Sequence, residues 1–128
     1  MENKKILIVE DDSFLRTLLQ HHLDQEKLNA IYVTSGEEAL LKIPTEMPDL
    51  ILLDVLLPGK YSGLEVLEKI KADPATQQIP VMILSNLGQK KEVEKGLELG
   101  AKDYLVKAHF TLSDIMVHIK KILGGEVL

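Results

Sequence analysis

Cysteine and tryptophan are absent from this 128-residue chain, and its aromatic residues number only two Phe and three Tyr. Without cysteine there is no disulfide framework, no thiolate metal site and no cysteine nucleophile, and a reducing, cytoplasmic setting fits. With so few rings, the core has to be aliphatic. Long apolar runs are missing as well. No stretch approaches the twenty or so residues of a membrane span. Lys4-Lys5 precedes Ile6-Leu7-Ile8-Val9, but Glu10-Asp11-Asp12 ends that run too soon, and with too much acid, for a signal peptide. Positive charge is scarce: 15 Lys and Arg stand against 20 Asp and Glu, a net charge of −5. No basic cluster suits a phosphate backbone, so direct nucleic-acid binding is not expected. Repeats, low-complexity tracts and linkers are also lacking. With 45% apolar and 27% charged residues, the chain reads as one soluble globular domain over 1–128.

What is present is a regular alternation. Ile6–Val9, Ala30–Val33, Leu50–Leu53, Val81–Leu84 and Asp103–Val106 are short runs that predict strands. Between and after them lie helical periodicities. Leu15, Leu18, Leu19 and Leu23 share one face of a helix opened by Asp12 or Ser13, and the adjacent His21 and His22 read as surface or boundary residues. Ser35 and Glu38 have capping-box spacing before Ala39, Leu40 and Ile43, and Pro44 and Pro48 are expected to end that helix. Gly63–Ala72 turns Leu64, Leu67 and Ile70 inward. A poorer helix from about Gln89 to Leu99 offers only Val93 and Leu97, is weakened by Gly96, and stops at Gly100. Thr111 or Ser113 opens a last helix with Leu112, Ile115, Ile119 and Ile122 inward, ended by Gly124-Gly125. Alternating strands and helices predict an α/β fold, a doubly wound, flavodoxin-like parallel sheet of five strands in the order 2-1-3-4-5 with five helices.

In such sheets, ligands bind at the carboxyl ends of the strands, beside the switch point between strands one and three. Asp54 follows Leu50–Leu53 directly and is walled by Val55, Leu56 and Leu57 before the Pro58-Gly59 turn. A carboxylate so placed is costly unless it is paired. Glu10 and Asp11 end the neighbouring strand without the glycines of a phosphate-cradling loop, so they attract a hard cation such as magnesium. Ser85 ends strand four with a hydroxyl, and Lys107 ends strand five with a mobile positive charge suited to phosphate. Asp54 between cation and lysine is placed as a carboxylate nucleophile that can form an aspartyl phosphate. Each residue has a plainer role open to it, as turn, cap or solvated charge. Their combination, each at its own strand end, is the specific signal.

Ile6–Asp12, Leu53–Gly59, Ser85 and Gly100–Lys107 together resemble the receiver domain of two-component response regulators, over essentially the whole chain. The resemblance implies a stand-alone, chemotaxis-regulator-like phosphoacceptor. Asp54 would accept a phosphoryl group from a histidine kinase or a histidine phosphotransfer protein. Magnesium would be held by Asp11, Asp54 and the Leu56 carbonyl, with Glu10 bonding through water. Ser85 and Tyr104 would be the switch residues, and Lys107 would serve the phosphoryl group. The fourth-helix, fifth-strand, fifth-helix face would then engage a downstream effector, with the chain a monomer or a weak, phosphorylation-dependent dimer. It would catalyse only its own phosphorylation and dephosphorylation, and no membrane contact is implied. By the same resemblance Leu56 and Leu87 flank the path of hydrolytic water. Both are bulky and apolar, which implies a long-lived phosphoryl group.

Two features depart from the family. Ala108 follows the strand-five lysine where proline is usual, and a cis bond there would cost about 2.5–4 kcal/mol, so a trans Lys107–Ala108 bond is expected. Pro58–Gly63 is one residue longer than usual. Two other functions compete. A phosphate-independent binding module would be expected to have lost an acid or the lysine, and none is lost; a relay intermediate would keep them all. A magnesium phosphohydrolase would want a second acid two residues after its nucleophile, where Leu56 or Ser13 stands. Asp12 is expected to cap the first helix, leaving Asp11 to face the crevice. With only five residues from Gly124 onward, a stand-alone domain without an output domain is the expectation.

Overall fold

In the computed structural model, which describes residues 3–124, all five strands run parallel in the order β2-β1-β3-β4-β5. The elements are β1 (Lys5–Val9), α1 (Ser13–Gln25), β2 (Asn29–Val33), α2 (Gly36–Glu46), β3 (Leu50–Leu53), α3 (Gly63–Ala72), β4 (Val81–Ser85), α4 (Lys90–Glu98), β5 (Asp103–Val106) and α5 (Leu112–Ile122). The flavodoxin-like arrangement expected from the alternation is the one observed. Among the described residues, no helix is long and apolar enough to cross a membrane.

Side-chain alternation along each strand splits the core in two. Leu7, Val9, Ile51, Leu53, Val81 and Ile83 pack under α2, α3 and α4. Ile6, Ile8, Leu50, Leu52, Met82 and Leu84 pack under α1 and α5. β3 is central and every one of its residues is buried. At roughly 1.5–3 kcal/mol for each aliphatic side chain removed from water, β3 is a stiff base for the carboxylate at its end.

Helix ends follow side-chain chemistry. Asp12 caps α1 by accepting from the Phe14 and Leu15 N–H groups. Ser35 caps α2, but Glu38 turns to the Thr34 N–H and hydroxyl instead of closing a box. Full capping boxes occur at Ser62/Glu65 and Thr111/Asp114. Two expectations need correction. Pro44 does not end α2; it lies inside the helix, which runs on to Glu46 and stops where Met47 turns left-handed at φ 43°. A proline removes one backbone donor, and on an exposed turn the helix absorbs that loss. Leu97 does not face inward either: it is exposed, and the buried residue of α4 is Gly96. Gly125, expected to help end α5, lies outside the described residues; the helix itself stops at Ile122.

Candidate functional site

Backbone pairing carries the strand ends one step further and brings the acids together. The Glu10 N–H bonds to the Val33 carbonyl, and the Asp54 N–H bonds to the Val9 carbonyl. Glu10 and Asp54 are thereby fixed on adjacent strands, and both are buried. Asp11, next to them, is exposed. Carboxylate oxygens of Glu10, Asp11 and Asp54 all lie within 4.8 Å of one another. Asp12 turns away to cap α1, as its position predicts.

Lys107 reaches into this cluster from the end of β5. Its Nζ donates to Glu10 Oε1 at 2.7 Å and to Asp54 Oδ2 at 3.0 Å. The other Asp54 oxygen, Oδ1, accepts the Leu56 N–H at 3.1 Å. Among the described residues the cis peptide is absent, so Lys107–Ala108 is trans. A short 3-10 turn over Lys107–His109 takes the chain away from the site. Ser85 ends β4 fully buried, and its Oγ accepts the Leu87 N–H at 3.2 Å.

Two buried carboxylates share one lysine here, with a third close by, and the electrostatics reflect the crowding. Burial pushes the Glu10 carboxyl above its ordinary value of 4.5, and the Asp54 charge pushes the same way, against the opposing hydrogen bonds from Lys107 and Asp12. For Lys107, burial is the largest single influence and pulls its value down, but Glu10 and Asp54 together outweigh it and hold the ammonium above its ordinary value. Both values rise, for different reasons: burial, helped by the Asp54 charge, disfavours the Glu10 anion, whereas two neighbouring anions favour the Lys107 cation. Such a cluster suits a hard cation held by carboxylates and water.

The raised Glu10 value has a consequence for stability. An acid whose value rises on folding binds its proton more tightly in the folded chain, so stability falls as pH rises between 4.5 and the raised folded value. Urea unfolding in a chelating buffer should show that decline, and Glu10→Gln should flatten it. An unchanged slope in the variant would assign the decline to another group.

Several residues around the site were not legible from sequence. Arg16, one turn into α1, donates to the Glu10 carbonyl at 2.8 Å. Glu37 accepts the Lys60 N–H at 3.3 Å, so the Pro58–Gly63 loop is tied to the first turn of α2. Gly63 sets α3 against the strand end that bears Asp54: its N–H bonds to the Val55 carbonyl at 2.9 Å, and a Cβ there would lie 2.0 Å from the Asp54 carbonyl oxygen. Gly96 is no mere weak point in α4. A Cβ on it would come within 2.8 Å of both Ile83 Cδ1 and the Tyr104 ring. Glycine lets the helix settle on Tyr104, which is buried and donates its hydroxyl to the Leu87 carbonyl at 2.5 Å. Burial raises the Tyr104 phenol above its ordinary value, despite a hydrogen bond with Ser85. Leu56 stands in solvent at the mouth of the site, whereas Leu87 packs partly against the core under α4.

Comparison with known proteins agrees with this geometry. Residues 6–120 match the family described as response regulator receiver domain. The chain is 40% identical over 121 residues to the alkaline phosphatase synthesis transcriptional regulatory protein PhoP of Bacillus subtilis, covering 94% of this chain and 49% of PhoP. It thus spans about half the length of the curated relatives it matches. The BeF3-activated receiver domain of RstA from Klebsiella pneumoniae superposes with a TM-score of 0.85 at 30% identity, covering 94% of this chain and 98% of that one. The Mn(2+)-bound response regulator Rcp1 superposes with a TM-score of 0.78 at 33% identity, covering 94% and 90%. In sequence, fold and acidic cluster alike, the chain belongs to the response regulator receiver domain family.

Proposed function

We propose that the chain is a phosphoacceptor switch in which a carboxylate oxygen of Asp54 attacks the phosphorus of a phosphohistidine. The phosphorus–nitrogen bond breaks, the imidazole leaves, and an aspartyl phosphate remains. The donor would be a cytoplasmic histidine kinase or a histidine phosphotransfer protein. The observation that carries this reading is Asp54 itself. It is buried at the end of the central strand, held by Lys107 on one oxygen and by the Leu56 N–H on the other. Glu10, Asp11, Asp54 and the Leu56 carbonyl would hold magnesium, which supplies charge neutralisation for the phosphoryl oxygens. The Mn(2+)-bound Rcp1 structure supports a divalent ion in a site of this kind.

Lys107 would keep its grip on the modified aspartate by bonding a phosphoryl oxygen. Ser85 would give up its present role as acceptor for the Leu87 N–H and donate to another phosphoryl oxygen. Since the Leu87 carbonyl also holds Tyr104, such a movement would pass to α4. The face formed by α4, β5 and α5 would then present the change to an effector, whether the protein acts as a monomer or a weak dimer. Nothing in this scheme acts on a substrate other than the chain itself.

Incubation with magnesium and acetyl phosphate, followed by intact mass, tests the reading. One phosphoryl group should be added, and Asp54→Asn should abolish the addition. Full labelling of that variant would remove Asp54 from the role. The decay of the labelled protein gives a second measurement. With Leu56 at the mouth and Leu87 behind it, hydrolytic water has no side chain to orient it, and loss should be slow. Leu56→Asn combined with Leu87→Glu should speed the loss several-fold, and an unchanged rate would show that these positions do not govern it.

A further inference from the structure

Between α3 and α4 lies a cavity of about 330 Å³, separate from the acidic crevice. Val55, Leu64, Leu87 and Tyr104 form its apolar interior, and Lys91, Glu92 and Lys95 of α4 stand at its rim. Small-molecule sites begin at about this size, and they combine an apolar body with a few placed charges. The charges here are unusual for an acidic protein. Lys91 and Lys95 are one helical turn apart, both are exposed, and among the described residues neither has a carboxylate within ion-pair distance. Lys91 also lies in the first turn of α4, where the helix dipole disfavours a cation. Its neighbour Lys90 is offset by Glu94 at 3.8 Å. The one acid at the rim, Glu92, is committed to the Gln89 N–H at 3.0 Å. An apolar hollow whose rim sets two unpaired ammonium groups against the single Glu92 carboxylate keeps a net positive edge, complementary to an anion with an apolar tail.

We propose that this cavity binds a small amphiphilic carboxylate, its chain lying on Val55, Leu64, Leu87 and Tyr104 and its head between Lys91 and Lys95. The proposal goes beyond the phosphoacceptor reading and does not require it: none of Glu10, Asp11, Asp54 and Lys107 lines the cavity, although Leu87 and Tyr104 are shared with the switch. A bound acid would touch Leu87 and Tyr104, the two residues joined by the short hydroxyl–carbonyl bond, and so would favour the buried position of the ring.

Octanoate is the probe, titrated into the unphosphorylated full chain while backbone amide resonances are followed. Saturable shifts are expected at Leu64, Leu87, Lys91 and Lys95. Octan-1-ol, with the same tail and no charge, should bind about tenfold more weakly or worse, the worth of one charge-assisted contact. Lys91→Gln with Lys95→Gln should weaken octanoate to the same degree; both residues are exposed, and circular dichroism confirms that the variant is folded. Shifts that grow linearly without saturation, or that avoid the cavity residues, would overturn the proposal. So would equal affinity for the alcohol or for the lysine variant. Tighter binding of a short peptide of alternating Leu and Glu would assign the hollow to a protein partner instead.

Discussion

Replacing Lys107 with methionine should lower the free energy of unfolding by about 3 kcal/mol near pH 7.5 in a chelating buffer. Methionine keeps most of the stem, so the loss reports the charge. The two carboxylates that Lys107 now bridges, Glu10 and Asp54, have side chains only 4% and 7% exposed. Removing the cation leaves two anions close together with little water, a change that in buried pairs costs about 3–5 kcal/mol. The lower end applies because Asp11 lies in solvent and the crevice is open on that side. Magnesium should restore much of the loss, since it replaces the missing positive charge. Lowering the pH should do the same as Glu10 takes up its proton. Urea unfolding of the two proteins decides it: a difference under about 1 kcal/mol would mean that solvent, not Lys107, satisfies the acids.

A second large effect is expected from a single methyl group. Gly63→Ala places a Cβ 2.0 Å from the Asp54 carbonyl oxygen and 2.7 Å from the Val55 Cα. These are backbone atoms, so no side-chain rotation relieves the contact. Gly63 is not among the glycines with positive φ, and alanine would suit the helix better by about 1 kcal/mol. The steric term has to overcome that gain. Overpacking usually costs about 1–3 kcal/mol, and more where backbone must shift. We therefore expect a net loss of at least about 2 kcal/mol, together with slower labelling of Asp54 as its strand end is pushed aside. Denaturation and labelling should change together; a stable variant that labels normally would show that α3 can pull back without disturbing the site.

The parts of the fold legible in the sequence were those set by local chemistry. Leu50–Leu53 read as a doubly covered strand, and helix starts were marked by Ser35, by Asp12 or Ser13, and by Thr111 or Ser113; the structure caps with Ser35, Asp12 and Thr111. That Glu10, Asp11, Asp54 and Lys107 would converge was legible because each lies at a strand end, and the strand order brings those ends together. What was not legible depends on distances between elements. Gly96 looked like a flaw in a helix until the Tyr104 ring was found beneath it. Pro44 looked like a stop, but the left-handed Met47 is the stop. Nothing local tells that Arg16 would reach back to the Glu10 carbonyl, or that Glu37 would receive a loop more than twenty residues away.

Lys107 also fastens the sheet. β5 is an edge strand, paired only with β4 and over four residues. The ion pairs from Lys107 tie its end to Glu10 and Asp54, which belong to the two strands beyond. That makes the lysine a latch on one of the two edges of the sheet, and local opening there should follow the charge on Asp54. Amide exchange in Tyr104–Val106 would register it. Whatever weakens the latch should loosen β5 first, and α5 packs on that strand through Leu105. On the proposed chemistry, a change to one carboxylate would be converted into a change in how often one edge of the molecule comes ajar.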